Sequence, residues 1–340
     1  MDGGLRRAGW AAGVIALGAA CAAASPDDGA APSADPAWVL VWQDEFDGDA
    51  LDRTRWAPEE SCWGGGNDER QCYTDREANV AVGGGVLRLT ARPEVHRGPT
   101  HPPELAHLGQ GTREQAYTSG KVRTRGLADW RYGRFSARMK LPAGQGTWPA
   151  FWMMPTEAAY GRWPRSGEID VMEAVNLGTP CEDCAREVES RTSGALHFGD
   201  LPPGNDYLFA KAPEMAHGTP ADGWRTYAVE WAADTIQWFV DGEVFLRLTA
   251  DDWRTASPGA AGRPGAPFDR PFYLMANLAV GGRLPEQSNG AGFDPGAFPA
   301  ELLIDWVRVE QCVGDATGTA CLTDAEWNGT PQGPWEVQAR

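Results

Sequence analysis

Tyr227-Ala228-Val229-Glu230-Trp231, Ile236-Gln237-Trp238-Phe239-Val240 and Val244-Phe245-Leu246-Arg247-Leu248 follow one another with only short turns between them. These runs are short and rich in β-branched and aromatic residues, as strands with one face on a core require. Asp241-Gly242 separates the second and third runs. Both residues tolerate the positive φ of a two-residue hairpin turn, so the three runs read as a meander. The pattern recurs outward from there, at residues 38–42, 85–91, 132–140 and 302–309. Amphipathic helical stretches of useful length are nearly absent. Many short strands separated by turn residues predict one all-β domain, a β-sandwich over residues 38–312, rather than two domains. Residues 93–115 and 256–269 are Gly/Pro-rich and aperiodic, and are expected to be surface loops that could lie over a groove. Residues 313–340 are expected to be a short polar tail without a second domain.

The chain has 340 residues, with 42% hydrophobic and 23% charged residues and a formal net charge of −17. That charge repels nucleic acid and disfavours a polyanionic partner, so a neutral partner is the simplest expectation. Sixteen Trp exceed what a core needs, because each buried indole must place its N–H. Half or more suit a sandwich core, and the remainder suit a groove that takes the apolar faces of sugar rings.

Arg6 and Arg7 precede a short apolar run, residues 8–20, too short to span a bilayer as a stable helix. Residues 1–24 therefore read as an export signal, and residues 25–37 as a flexible tether rich in Pro, Ala, Asp and Gly. Cleavage after Ala24 would release a soluble protein. Alternatively, Leu17-Gly18-Ala19-Ala20-Cys21 resembles a bacterial lipobox, which would make Cys21 a lipidated first residue and the only link to a membrane. Removing Cys21 leaves six cysteines, Cys62, Cys72, Cys181, Cys184, Cys312 and Cys321. Proximity alone selects 62–72, 181–184 and 312–321 among fifteen pairings, a set of local disulfides suited to an exported protein. Cys181-Glu182-Asp183-Cys184 also resembles half a metal site, but its second half is missing. The expected location is the cell surface or outer membrane as a lipoprotein, otherwise secreted.

The chemistry is expected in Ser166-Gly167-Glu168-Ile169-Asp170-Val171-Met172-Glu173. Residues two apart share a strand face, so Glu168 and Asp170 point the same way, whereas Glu173 falls on the opposite side. A β-bulge at Val171-Met172 adds one residue and brings all three acids to one face. Folding alone does not favour three adjacent carboxylates, but a retaining glycosidase needs a nucleophilic carboxylate close to a protonated acid. On spacing alone, an exposed acidic strand face or a calcium site also fits.

This segment resembles the active-site signature of glycoside hydrolase family 16 in its bulged, laminarinase-like form. Leu40-Val41-Trp42-Gln43-Asp44-Glu45-Phe46, Gly65-Gly66-Asn67-Asp68-Glu69-Arg70-Gln71-Cys72-Tyr73-Thr74 and Gly146-Thr147-Trp148-Pro149-Ala150-Phe151-Trp152-Met153-Met154 resemble further blocks of that family. Asn277-Leu278-Ala279-Val280-Gly281-Gly282 and Ile304-Asp305-Trp306-Val307-Arg308-Val309 complete the order. The resemblance implies a jelly-roll, concanavalin-like sandwich with a substrate cleft on its concave sheet. It assigns Glu168 as nucleophile, Glu173 as general acid and base, and Asp170 as the modulator between them. It places Trp148, Trp152, Asn67 and His197 in the sugar-binding cleft, with Arg113 and Trp130 as weaker matches.

No cofactor is expected for catalysis. A structural calcium ion is expected from the resemblance, on Glu45, the Gly85 carbonyl and Asp305. Two departures stand out: Gly282-Arg283-Leu284-Pro285 lacks a tryptophan often found there, and Gly223-Trp224-Arg225-Thr226-Tyr227 carries Trp-Arg where Phe-His is usual. The implied function is a monomeric, retaining endo-β-1,3-glucanase acting on laminarin-like glucans. Other readings are a hydrolase or transglycosylase acting on mixed-linkage glucan, agarose or carrageenan. A non-catalytic β-glucan-binding protein is a further reading, although such proteins typically lose the glutamates that stand here.

Overall fold

A computed structural model describes residue 1 and residues 36–333 of the chain. The meander forms as strands Arg225–Trp231, Thr235–Val240 and Glu243–Thr249. Val240 pairs with Glu243 across Asp241-Gly242, whose φ values of 52° and 88° fit the two-residue turn. The meander is one end of a ten-stranded sheet. Next to it come Gly133–Lys140, Ala300–Val313, Leu87–Pro99, Thr112–Ser119 and Gln71–Tyr73 in spatial order, while Ala37–Asp44 and Val80–Val82 pair at the side.

A second sheet of seven strands packs against it, in the order Asn205–Lys211, Ser193–Gly199, Glu168–Glu173, Thr147–Pro155, Phe272–Val280, Lys121–Arg123 and Ala57–Pro58. Every pairing within it is antiparallel. The molecule is therefore the expected β-sandwich, with two open sheets. Inward-facing side chains such as Leu87, Phe135, Phe151, Ile169, Trp231 and Trp238 are wholly buried between the sheets. Burying an aliphatic or aromatic side chain of this size contributes about 1.5–3 kcal/mol, which makes this layer the main source of stability.

Two features differ from the expectations, and a third was not anticipated. Residues 93–115 are not wholly loop: both flanks continue as a hairpin, Leu87–Pro99 against Thr112–Ser119, and only the tip is irregular around a 3₁₀ turn at Pro103–Leu108. The first strand begins at Ala37, inside the expected tether. The short polar tail, as far as it is described, is laced onto the sandwich. Thr323 bonds to Glu230 through both N–H and hydroxyl, and Gln332 pairs with Phe209. The disulfides are Cys62–Cys72, Cys181–Cys184 and Cys312–Cys321, the pairing chosen for proximity. The export signal, Cys21 and nearly all of the tether lie outside the described residues.

Candidate active site

Glu168–Glu173 is the third strand of the seven-stranded sheet and is flanked on both sides. Asp170 pairs with Trp152 and Met172 with the next partner, Phe151, so one extra residue is inserted at Val171. On the other side Asp170 faces Ala195 and Glu173 faces Ser193, three steps against two. The bulge thus occupies the expected position. Ile169, Val171 and Met172 are buried in the core, while Glu168, Asp170 and Glu173 line the groove on the sheet's outer face. The opposite sheet holds the bulge in place: Trp238 Nε1 donates to the Asp170 carbonyl at 2.8 Å. Its indole reaches that far because position 194 is glycine; a Cβ there would lie 2.4 Å from the ring.

Each acid has a different neighbour. Trp163 Nε1 donates to Glu168 Oε2 at 2.6 Å, and Trp148 Nε1 donates to Glu173 Oε1 at 2.9 Å. Asp170 is buried, with its Oδ2 3.3 Å from His197 Nε2. Burial raises the Asp170 pKa well above the carboxylate range, and the charges of Glu168 and Glu173 add to that rise. Glu173 is also raised, first by burial, against the opposing influence of His197 and the Trp148 hydrogen bond. Burial disfavours a charged His197, but Glu168, Asp170 and Glu173 outweigh it and lift its pKa to about 9. With its pKa lifted to about 9, His197 carries a positive charge among the three acids at neutral pH.

The groove has a volume of about 1760 Å³ and crosses the whole sheet. Trp63 and the 3₁₀ turn line one end, and Phe209 and Gln332 line the other. Such a groove exceeds an ordinary small-molecule pocket and accommodates a polymer. Carboxylates with raised pKa values at its floor suit acid-assisted cleavage of a glycosidic bond.

The sequence profile of Glycosyl hydrolases family 16 matches residues 67–308. The chain belongs to glycoside hydrolase family 16. It is 39% identical over 286 residues to a glucan endo-1,3-beta-glucosidase A1 of Niallia circulans, covering 79% of this chain but only 37% of that protein's length. It is 39% identical over 283 residues to a beta-glucanase of Rhodothermus marinus, covering 82% of this chain and 87% of the relative. The crystal structure of the laminarinase from Rhodothermus marinus superposes with a TM-score of 0.64 at 36% identity, covering 82% of this chain and 99% of that one. The chain is accordingly a glycoside hydrolase with the jelly-roll sandwich of its relatives.

In this family 16 hydrolase, Trp148, Trp152, Asn67 and His197 all line the groove with the three acids. Trp152 Nε1 donates to Asn277 Oδ1 at 2.7 Å, and Asn67 donates to Glu69. Trp130 does not join them. It is buried, edge-on to Trp42 and Phe135 in the core, because its local segment bridges to Phe272 inside the sandwich. Arg113 also lies off the groove lining, exposed on the hairpin and donating to the Trp63 carbonyl at 3.3 Å. It supports a groove residue rather than facing the groove itself.

The residues expected to hold calcium do not fit a hard cation as they stand. Arg308 engages both oxygens of Glu45 at 2.8 and 3.0 Å, and Arg138 engages Asp305 at 2.5 Å. Both carboxylates of the expected set therefore already have a cationic partner. Nor are Cys181 and Cys184 available as thiolate ligands, since they are bonded to each other.

Sequence reasoning missed Trp163, Glu69, Tyr207, Phe209 and Arg283, all in the groove lining. Arg283 stands in the segment that lacks the usual tryptophan and pairs with Asp68 at 2.8 Å. Trp163 was open to detection: it is a tryptophan beside proline in a turn-rich stretch five residues before Glu168.

Proposed function

We propose that this hydrolase is a retaining endo-β-1,3-glucanase that cleaves laminarin-like β-glucans by double displacement. The observation that carries the reading is the bulge, which puts Glu168 and Glu173 on one face of one strand inside a polymer-sized groove. Glu168 attacks the anomeric carbon as Glu173 gives its proton to the leaving oxygen, forming a glycosyl ester and freeing one chain end. The Trp163 hydrogen bond orients one oxygen of Glu168 and leaves the other to attack. Esterification removes the charge of Glu168, and with it a repulsion that raises Glu173. Glu173, now ionised, is thereby favoured as the carboxylate and accepts a proton from water. That water attacks the anomeric carbon of the ester, releases the second product and frees Glu168.

The neutral substrate is favoured by charge matching in the groove. Lys121 and Arg123 pair with Glu59, Arg125 with Glu104, Arg191 with Glu189, and Arg283 with Asp68. These cations are committed to acids of the chain itself, which leaves them poorly suited to sulfate groups on a polymer.

Reducing-end release from laminarin, lichenan, agarose and carrageenan tests the reading, run beside Glu168→Gln. Laminarin should be cleaved best and the variant should be inert. Full activity in the variant would remove the mechanism, and cleavage of agarose alone would remove the substrate class. We further propose export, with the three local disulfides in support. Metabolic labelling with a palmitate analogue, with Cys21→Ser as control, tests the lipid anchor.

A further inference from the structure

A row of rings runs from the reaction centre to the edge of the groove. Glu168 pairs with His197 across one strand boundary, and His197 pairs with Tyr207 across the next. Tyr207 and Phe209 alternate on the edge strand Asn205–Lys211, so both face the groove. Successive ring centroids lie 5.9 Å apart from Trp163 to His197, 5.5 Å from His197 to Tyr207, and 6.1 Å from Tyr207 to Phe209. The ring planes turn by only 41°, 32° and 31° at these steps. Neither Tyr207 nor Phe209 is consumed by the core; both are half-buried, with one side open.

The row does not stop at the edge strand. Phe209 N–H donates to the Gln332 carbonyl at 3.0 Å, and Gln332 N–H donates to the Phe209 carbonyl at 2.8 Å. This reciprocal pair adds the C-terminal segment to the sheet beyond its last strand, and Gln332 and Gly333 join the groove lining. The segment lies outside the family match, which ends at residue 308. It is anchored upstream by the Cys312–Cys321 disulfide, by Thr323 on Glu230, and by Arg247 donating to the Ala325 carbonyl. Covering the sheet edge also protects it from pairing with other chains, but that purpose does not require the segment to reach the groove.

The geometry points to a distal subsite, in which Tyr207 and Phe209 form a stacking platform and Gln332 its outer wall for a β-glucan chain leaving the reaction centre. A strand is about 4.8 Å wide, close to the length of one pyranose unit, so adding the C-terminal segment lengthens the groove by about one sugar. Flat rings in a shallow row accept the apolar face of a sugar with little ordering cost, since each has only two side-chain torsions. This inference rests on the glucanase reading above and names where the polymer runs.

The test is a binding measurement in the Glu168→Gln protein, by titration calorimetry with laminaritriose and laminarihexaose. Phe209→Ala should weaken hexaose binding about tenfold and triose binding less than twofold. Gln332→Pro, which removes the N–H donated to Phe209 while keeping the chain whole, should act in the same direction but less strongly. Phe209→Trp should restore the length preference. Equal loss for both sugars, or no loss for the hexaose, overturns the platform, as does absence of hexaose binding to the parent protein. A wild-type enzyme that binds hexaose but leaves laminarin intact instead overturns the proposed function.

Discussion

The outer face of the ten-stranded sheet and the reaction centre on the seven-stranded sheet treat charge in opposite ways. On the ten-stranded sheet acids meet guanidinium groups: Glu45 with Arg308, Asp305 with Arg138, Glu301 with Arg88 and Asp241 with Arg225. On the seven-stranded sheet Glu168, Asp170 and Glu173 crowd together, and their nearby cation is His197. Ion pairing on an exposed face lowers a carboxylate pKa, whereas crowding and burial raise it. Glu94, bonded to Arg76, is held down to about 2, while Asp170 is pushed well up. The contrast identifies the reactive face more sharply than composition does, since a chain with net charge −17 has acids everywhere.

Replacing a crowded acid should therefore have the largest effect. Glu173→Gln keeps an acceptor for Trp148 but removes the transferable proton. It should lower kcat on laminarin by about 10²–10⁴-fold, the usual contribution of a positioned acid. An aryl glucoside with a good leaving group needs less protonation, so its first step should recover. Equal losses on both substrates would show that Glu173 is not the acid. The same substitution should raise the melting temperature at pH values above the folded-state pKa of Glu173. The folded-state pKa of Glu173 is raised, so its proton stabilises the fold at low pH and that contribution is lost as pH rises.

The next effect is a shift in pH dependence. His197→Gln removes a positive charge that lowers the Glu173 pKa, so the alkaline limb of kcat/KM should move to higher pH, with less loss of activity than in either glutamate variant. The sign for stability follows from the histidine's own pKa. Raised from 6.5 to about 9, it contributes stability that is complete below 6.5 and lost as pH rises through about 9. The melting-temperature gap between wild type and variant should accordingly close above pH 9. An alkaline limb that stays in place would detach His197 from the acid/base pair.

The same contrast explains what could be read in the sequence. Strand periodicity marked the meander, and counting parity through Glu168, Asp170 and Glu173 required a bulge, because a side chain's face is fixed by a period of two. Parity does not say which layer a lone tryptophan joins, so Trp130 suits a groove by sequence although it packs between Trp42 and Phe135. The segment around Tyr207 and Phe209 carries no strong alternation, since Tyr207, Leu208 and Phe209 are consecutive bulky residues. Its role depends on a register with His197 and on a distant C-terminal partner. Likewise Glu45 and Asp305 read as cation ligands because the sequence does not reveal that Arg308 and Arg138 face them.

Substitutions on the paired face should have small effects. Glu94→Gln removes a bond to Arg76 on a face where both side chains are more than a third exposed, so solvent screening limits the loss to about 0.2–1 kcal/mol. Glu94 is depressed from 4.5 to about 2, so its contribution is complete above 4.5 and disappears as pH falls towards 2. Urea titrations at pH 7 and near pH 2.5 should show a gap that narrows in acid, with laminarin cleavage unchanged. The smallest effect should come from chelation. With Glu45 and Asp305 held by arginines, a calcium ion would have to displace two guanidinium groups before gaining its oxygen ligands, so EDTA should leave the melting temperature unmoved. If calcium instead raises it, and Asp305→Asn abolishes the rise, the arginines swing aside and the two faces differ less than their ion pairs indicate.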